Sequence, residues 1–117
     1  MRDHTKLRAF ELADELVLLV YRFTTSFPSS EQFGLTSQLR RAALSIPSNI
    51  VEGCARHTEA DYIRFLDIAH GSAREVEYQI TVAQRLGYLT DEQSQTLIAK
   101  SVETSKVLNG LIRSLRR

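Results

Sequence analysis

Helix-type periodicity runs through nearly all of the 117 residues and is interrupted by only five glycines and two prolines. Apolar side chains recur at steps of three and four, the spacing that places them on one face of an α-helix. Strand-type alternation is scarce, and there is no low-complexity segment or obvious linker. The chain is long enough for one compact domain with a real core, so residues 1–117 read as a single domain.

Punctuation divides the pattern into four helices. The first spans about 6–26, with an apolar face of Phe10, Ala13, Val17, Val20, Tyr21, Thr24 and Phe27. Pro28 ends it, because the residue before a proline disfavours helical dihedrals. The second runs over about 35–54, with an inward stripe of Leu35, Leu39, Ala42, Ala43, Ile46, Ile50 and Gly53. The third covers about 58–87: Thr58 is a natural N-cap, Glu59 and Asp61 suit the positive end of the dipole, and Gly87 suits the C-terminal stop. The fourth covers about 91–115; Thr90 followed three residues later by Gln93 fits a capping box, and Leu97, Val102, Leu108, Leu111, Ile112 and Leu115 form its apolar side. Four long amphipathic helices with short connections predict an all-α, antiparallel, up-down-up-down four-helix bundle.

Some apolar residues fall on the opposite side of these helices. Projection at about 100° per residue places Leu12 and Leu19 opposite the core of the first helix. It does the same for Leu44 and Val51 on the second, and for Gly71, Tyr78 and Val82 on the third. Aligned outward apolar residues on three helices point to a partner surface rather than to scattered surface leucines. Gly71 agrees, since a mid-helix glycine costs about 1 kcal/mol but lets another backbone approach. A homo-oligomer is the expectation.

Charge and composition narrow the function. Fifteen basic residues against fourteen acidic give a net charge of +1, which argues against a strong global attraction to nucleic acid but leaves local patches open. A single cysteine excludes an internal disulfide framework. The opening residues lack the apolar core of a signal peptide, and no apolar run approaches the ~20 residues that span a bilayer. A cytoplasmic protein with no membrane contact is expected.

The candidates for chemistry are sparse. A di-metal carboxylate bundle needs Glu-x-x-His on two helices, and none occurs; Asp67-x-x-His70 and Cys54-x-x-His57 are single pairs without a matching set. Ser45, Ser48, Cys54, His57 and Asp61 lie close in sequence, yet nothing resembles a nucleophile elbow. Phosphate-cradling glycine loops are absent. No catalytic residue, metal, cofactor or small-molecule substrate is expected. Arg40, Arg41, Arg56, Arg113, Arg116 and Arg117 form a candidate nucleic-acid patch, set against the plainer reading that they pair with nearby carboxylates.

Within "RRAALSIPSNIVEGCAR", Pro47 removes the bond to the Ala43 carbonyl and is expected to kink the second helix. Asn49 falls near the inward stripe and must find partners. Ser48, Asn49, Ser72 or Gln79 are the candidates to repair the ladder, while Glu52 and Glu75 are placed to take bonds from Arg40 or Arg41.

This stretch, extended to "GLTSQLRRAALSIPSNIVEGCAR", resembles the signature of the four-helix bundle protein family also called 23S rRNA-intervening sequence proteins. "LRAFELADELV", "YIRFLDIAHGSAREVEYQI" (with Gly71, Ser72, Glu75 and Glu77 in place) and "RLGYLT" resemble the family's first helix, third helix and last turn. The resemblance covers nearly the whole chain. It implies an antiparallel bundle, a ring-like homopentamer and no established catalytic residues. A related branch, the accessory variability determinant of diversity-generating retroelements, is a basic pentamer that binds nucleic acid; at +1 per chain this sequence departs from it. The reading is a non-enzymatic, homo-oligomeric assembly or adaptor protein, with a nucleic-acid-binding accessory factor (RNA or DNA) as the alternative.

Overall fold

The computed structural model describes residues 2–116 and contains four α-helices: α1 (Arg8–Thr24), α2 (Leu35–Cys54), α3 (Glu59–Arg85) and α4 (Asp91–Leu115). Short 3-10 turns at His4–Lys6 and Ser29–Glu31 precede α1 and α2, and α1 itself begins at Arg8. Asp3 caps the first of these turns through the Thr5 amide. Among the described residues there is no strand, and no helix is long and apolar enough to cross a membrane.

The helix ends follow local chemistry. The Thr58 hydroxyl accepts from the Asp61 amide at 3.1 Å. Thr90 and Gln93 complete the expected capping box, with both bonds at 3.0 Å. Gly87 has φ +79°, a left-handed conformation that suits glycine and turns the chain out of α3.

Each helix packs on its sequence neighbours and α1 closes the circuit on α4. Ser45 meets Ser72 while Gly53 meets Tyr62, so numbers climb on α2 as they fall on α3. The ion pairs of Arg8 with Glu103 and of Glu15 with Lys100 show the same opposed sense for α1 and α4. The core is built from leucine, isoleucine, valine and alanine of all four helices, with Tyr62 the bulkiest side chain fully inside.

The α2 and α3 stripes lie as the periodicity predicts: Leu39, Ala42, Ala43, Ile46, Ile50 and Gly53 are buried, as are Tyr62, Leu66, Ala69, Ala73, Val76, Ile80 and Ala83. On α1 the prediction is displaced. Leu12 is fully buried, Leu19 is half-buried against the core and Tyr21 is exposed. The reason lies in the ridge Arg8–Leu12–Glu15–Leu19, at steps of four, three and four. Arg8 and Glu15 on this ridge bind α4, so Leu12 and Leu19 face α4 and not solvent. On α4 the packing face also includes Ser94, Ser101, Thr104 and Ser105, all buried. Ser101 and Thr104 satisfy their hydroxyls on their own helix, at the Leu97 and Lys100 carbonyls.

Candidate functional site

Helix α2 remains helical through Pro47, which is buried. Its flank toward α3 carries a small polar network. The Asn49 amide donates to the Ser45 carbonyl at 2.7 Å and to the Ser45 hydroxyl at 2.9 Å. That hydroxyl meets the Ser72 hydroxyl on α3, also at 2.9 Å. Asn49 therefore binds Ser45 of its own helix rather than the Ala43 carbonyl, and it supports the Ser45–Ser72 bond between helices instead of patching the proline. Gln79 takes no part, and its buried Oε1 has no partner among the described residues.

Beside this network, Gln38, Arg41, Ala42, Ser45 and Glu75 line a recess of about 280 Å³. Arg41 and Glu75 both line this recess, but among the described residues Glu75 takes no ion pair from Arg40 or Arg41. Glu52 instead pairs with Arg56 one turn on, at 3.1 Å.

The residue types that suggested catalysis do not converge. Ser45 is held in the network, Ser48 and His57 are exposed, and Cys54 is buried. Burial pushes the Cys54 thiol up from its ordinary value, which disfavours the thiolate a nucleophile needs. Burial likewise pushes the Tyr62 phenol up to about 12. The Arg2 guanidinium lies 3.9 Å from the centre of the Tyr62 ring, and the Arg2 amide donates to the Cys54 carbonyl at 3.1 Å. The N-terminal segment therefore covers this end of α2. Among the described residues, no three His, Cys, Asp or Glu side chains gather as metal ligands.

The arginines expected to form a basic patch are dispersed. Arg40 and the C-terminal end of α2, beyond which Arg56 lies, are separated by ~21 Å of helix. Arg40 turns to α1, donating to the Thr24 hydroxyl at 2.8 Å and lying over Tyr21. Arg56 binds Glu52, Arg116 binds Asp67, and Arg41 and Arg113 are exposed. Arg117 lies outside the described residues.

The outward apolar residues form a more coherent feature. Leu44, Val51 and Tyr78 are 46, 38 and 64% exposed; single leucines at that level are ordinary, but these are aligned. Gly71 is exposed, with nothing within 4 Å of where a Cβ would stand. Val82 is half-buried. Sequence reasoning missed Leu18, Ile68, Phe33 and Leu86, all exposed. Leu18 takes the outward place assigned to Leu12 and Leu19.

These residues divide into two patches. On α2, Arg40, Leu44 and Val51 fall on one ridge, at steps of four and seven. Its first member lies on Tyr21 of α1, so this patch flanks the α1–α2 seam. Gly71, Tyr78 and Val82, at steps of seven and four, lie opposite the buried stripe of α3. The polar recess of Arg41 and Glu75 separates the two.

A family model described as 23S rRNA-intervening sequence protein matches residues 5–110. Among solved structures, the chain is similar to a protein of unknown function from the S23 ribosomal protein family of Bacteroides thetaiotaomicron VPI-5482. The two are 29% identical with a TM-score of 0.80, over 89% of this chain and 97% of that one. No curated protein matches the chain significantly.

Proposed function

We propose that this chain, which belongs to the 23S rRNA-intervening sequence protein family, is a non-enzymatic assembly or adaptor protein that works as a homo-oligomer. The observation that carries this reading is the pair of apolar patches on different flanks of the bundle, Leu44 with Val51 and Tyr78 with Gly71. A patch that met its own copy would give a closed dimer. Two different patches fit a heterologous contact, one copy's α1–α2 flank against its neighbour's α3, and such contacts form a ring when the rotation between copies closes. Five copies is the number the family resemblance implies. The scattered serine, cysteine and histidine residues favour a non-catalytic role.

Light scattering on purified protein tests the reading. A ring of five gives about five times the 13.3 kDa subunit mass. A monomer at all accessible concentrations refutes the assembly. The alternative, a nucleic-acid-binding accessory factor, has weaker support, because Arg56 and Arg116 are engaged by carboxylates and Arg40 by α1. Its signature is affinity that falls steeply with salt.

A further inference from the structure

The end of α1, the Ser29–Glu31 turn and the start of α2 line an open surface recess of about 350 Å³, the lower end of the size range of small-ligand pockets. Its polar lining is hydroxyls, one amide and one cation. Ser29, Gln32, Thr36 and Arg40 face it along with Thr24, and no carboxylate is among the lining residues.

Arg40 is unlike most arginines of this bundle. Arg2, Arg8, Arg56, Arg64, Arg74 and Arg116 each face a carboxylate within 4.0 Å. Arg40 is half-buried, and among the described residues it faces none. Its Nε donates to the Thr24 hydroxyl at 2.8 Å, one Nη donates to the Tyr21 carbonyl at 3.3 Å, and the guanidinium lies 4.8 Å from the Tyr21 ring centre. These neutral partners fix the group in place without neutralising it, and its Nη1 amino group has no protein partner among the described residues. The positive charge is thus held at the recess with a free donor, open to an oxyanion.

The other donors agree. The Thr36 hydroxyl oxygen is buried and has no hydrogen-bond partner among the described residues. It belongs to the first turn of α2, whose helix-end charge is already met in part by the Glu31 carboxylate on the Leu35 amide. Neither the Ser29 hydroxyl nor the Gln32 amide has a side-chain bond there. A fixed planar guanidinium beside several neutral donors suits the multiple acceptor oxygens of a phosphate group. Arg41 contrasts with this: its own recess already holds Glu75.

We propose that this recess binds a phosphate group, with Arg40 as the charged anchor and Thr36, Ser29 and Gln32 as neutral donors. The site adjoins the α1–α2 apolar patch, whose ridge begins at Arg40, but the phosphate reading does not rest on assembly: titration tests the one and light scattering the other.

Calorimetric titration of the full chain with inorganic phosphate, at matched ionic strength in chloride, is the test. Saturable binding is expected, weakened about ten-fold or more by Arg40→Met and several-fold by Thr36→Val. Arg40→Met removes contacts to α1, so Thr36→Val, which touches no other element through its hydroxyl, guards against a folding artefact. No saturable heat, or unchanged affinity in a folded Thr36→Val together with Arg40→Met, overturns the site. A nucleoside monophosphate titrated in parallel identifies the source. Tighter binding than inorganic phosphate points to a phosphate ester, and equal binding points to free phosphate.

Discussion

The hydroxyls of Ser45 on α2 and Ser72 on α3 meet 2.9 Å apart across the seam between the two helices. Asn49 donates to the same Ser45 oxygen, at 2.9 Å, and so supports that bond from one turn away. The Ser45 hydroxyl can then give its own hydrogen to Ser72. Polar groups at a helix seam cost little when every member is paired and much more when one is orphaned.

Replacing Asn49 by leucine removes both donated bonds while the Ser45 hydroxyl keeps Ser72. The expected loss is about 1–2 kcal/mol, read as a lower thermal midpoint at fixed protein concentration. An Asn49→Leu protein with both the melting behaviour and the mass of the parent refutes the structural role of this network.

The glycines of α2 and α3 predict opposite outcomes. A Cβ on Gly53 would stand 3.0 Å from the Phe65 Cβ and 3.3 Å from the Tyr62 carbonyl oxygen. Neither atom is the end of a flexible side chain, so Gly53→Ala forces the helices apart. The overpacking cost of about 1–3 kcal/mol opposes a propensity gain of at most about 1 kcal/mol, and net destabilisation is expected. Gly71 has nothing within 4 Å, so Gly71→Ala keeps the propensity gain in the isolated subunit. Measured together by urea unfolding, the two variants should shift the midpoint in opposite directions. A stabilised Gly53→Ala contradicts the close approach.

Acid stability has a local handle at Glu31. Its carboxylate accepts from the Leu35 amide at 3.0 Å and from the Tyr88 hydroxyl at 2.9 Å. These bonds, the amide first, hold it below the ordinary value of 4.5. A lowered carboxylate stabilises the fold above its unfolded value, and the contribution fades as pH falls through the lowered folded value. The gap in melting temperature between the parent and Glu31→Gln should therefore be present near neutrality and close in acid below about pH 4.5. Tyr88 works in the other direction. The same hydrogen bond raises its phenol above 10, so its contribution is present below 10 and lost as pH rises through the raised value. A Glu31→Gln gap that is constant with pH refutes the linkage.

Much of this architecture is legible in the sequence, because periodicity reports burial directly where the buried arc is one narrow stripe. The α2 and α3 stripes are of that kind. Helix α1 buries a wider arc, with Ala9, Leu12, Ala13, Leu16, Val17 and Val20 all inside, and the ridge at Leu12 imitates an outward one. Apolar periodicity gives only part of the α4 face, because Ser94, Ser101, Thr104 and Ser105 are polar in type but small enough to pack inside. The arginine–hydroxyl recess at Arg40 is not legible, since it joins residues from two helices and a loop with no motif spacing.

That displacement of α1 yields the sharpest separation of fold from assembly. Leu12 is fully buried, so Leu12→Ala should cost about 2–5 kcal/mol of subunit stability through lost burial and the cavity left behind. Leu44 and Tyr78 are exposed in the subunit, and Leu44→Glu or Tyr78→Glu should leave helical content unchanged. Under the proposed heterologous contact, each charge lies in a different patch, so either substitution alone should reduce the mass measured by light scattering. Mixing the two variants sharpens the test: each retains the patch the other has lost, so a Leu44→Glu chain and a Tyr78→Glu chain should pair through their intact surfaces but fail to close a ring. A stable dimer in the mixture, absent from either variant alone, is the expected species. If both variants assemble as the parent does, the apolar patches are not the interface.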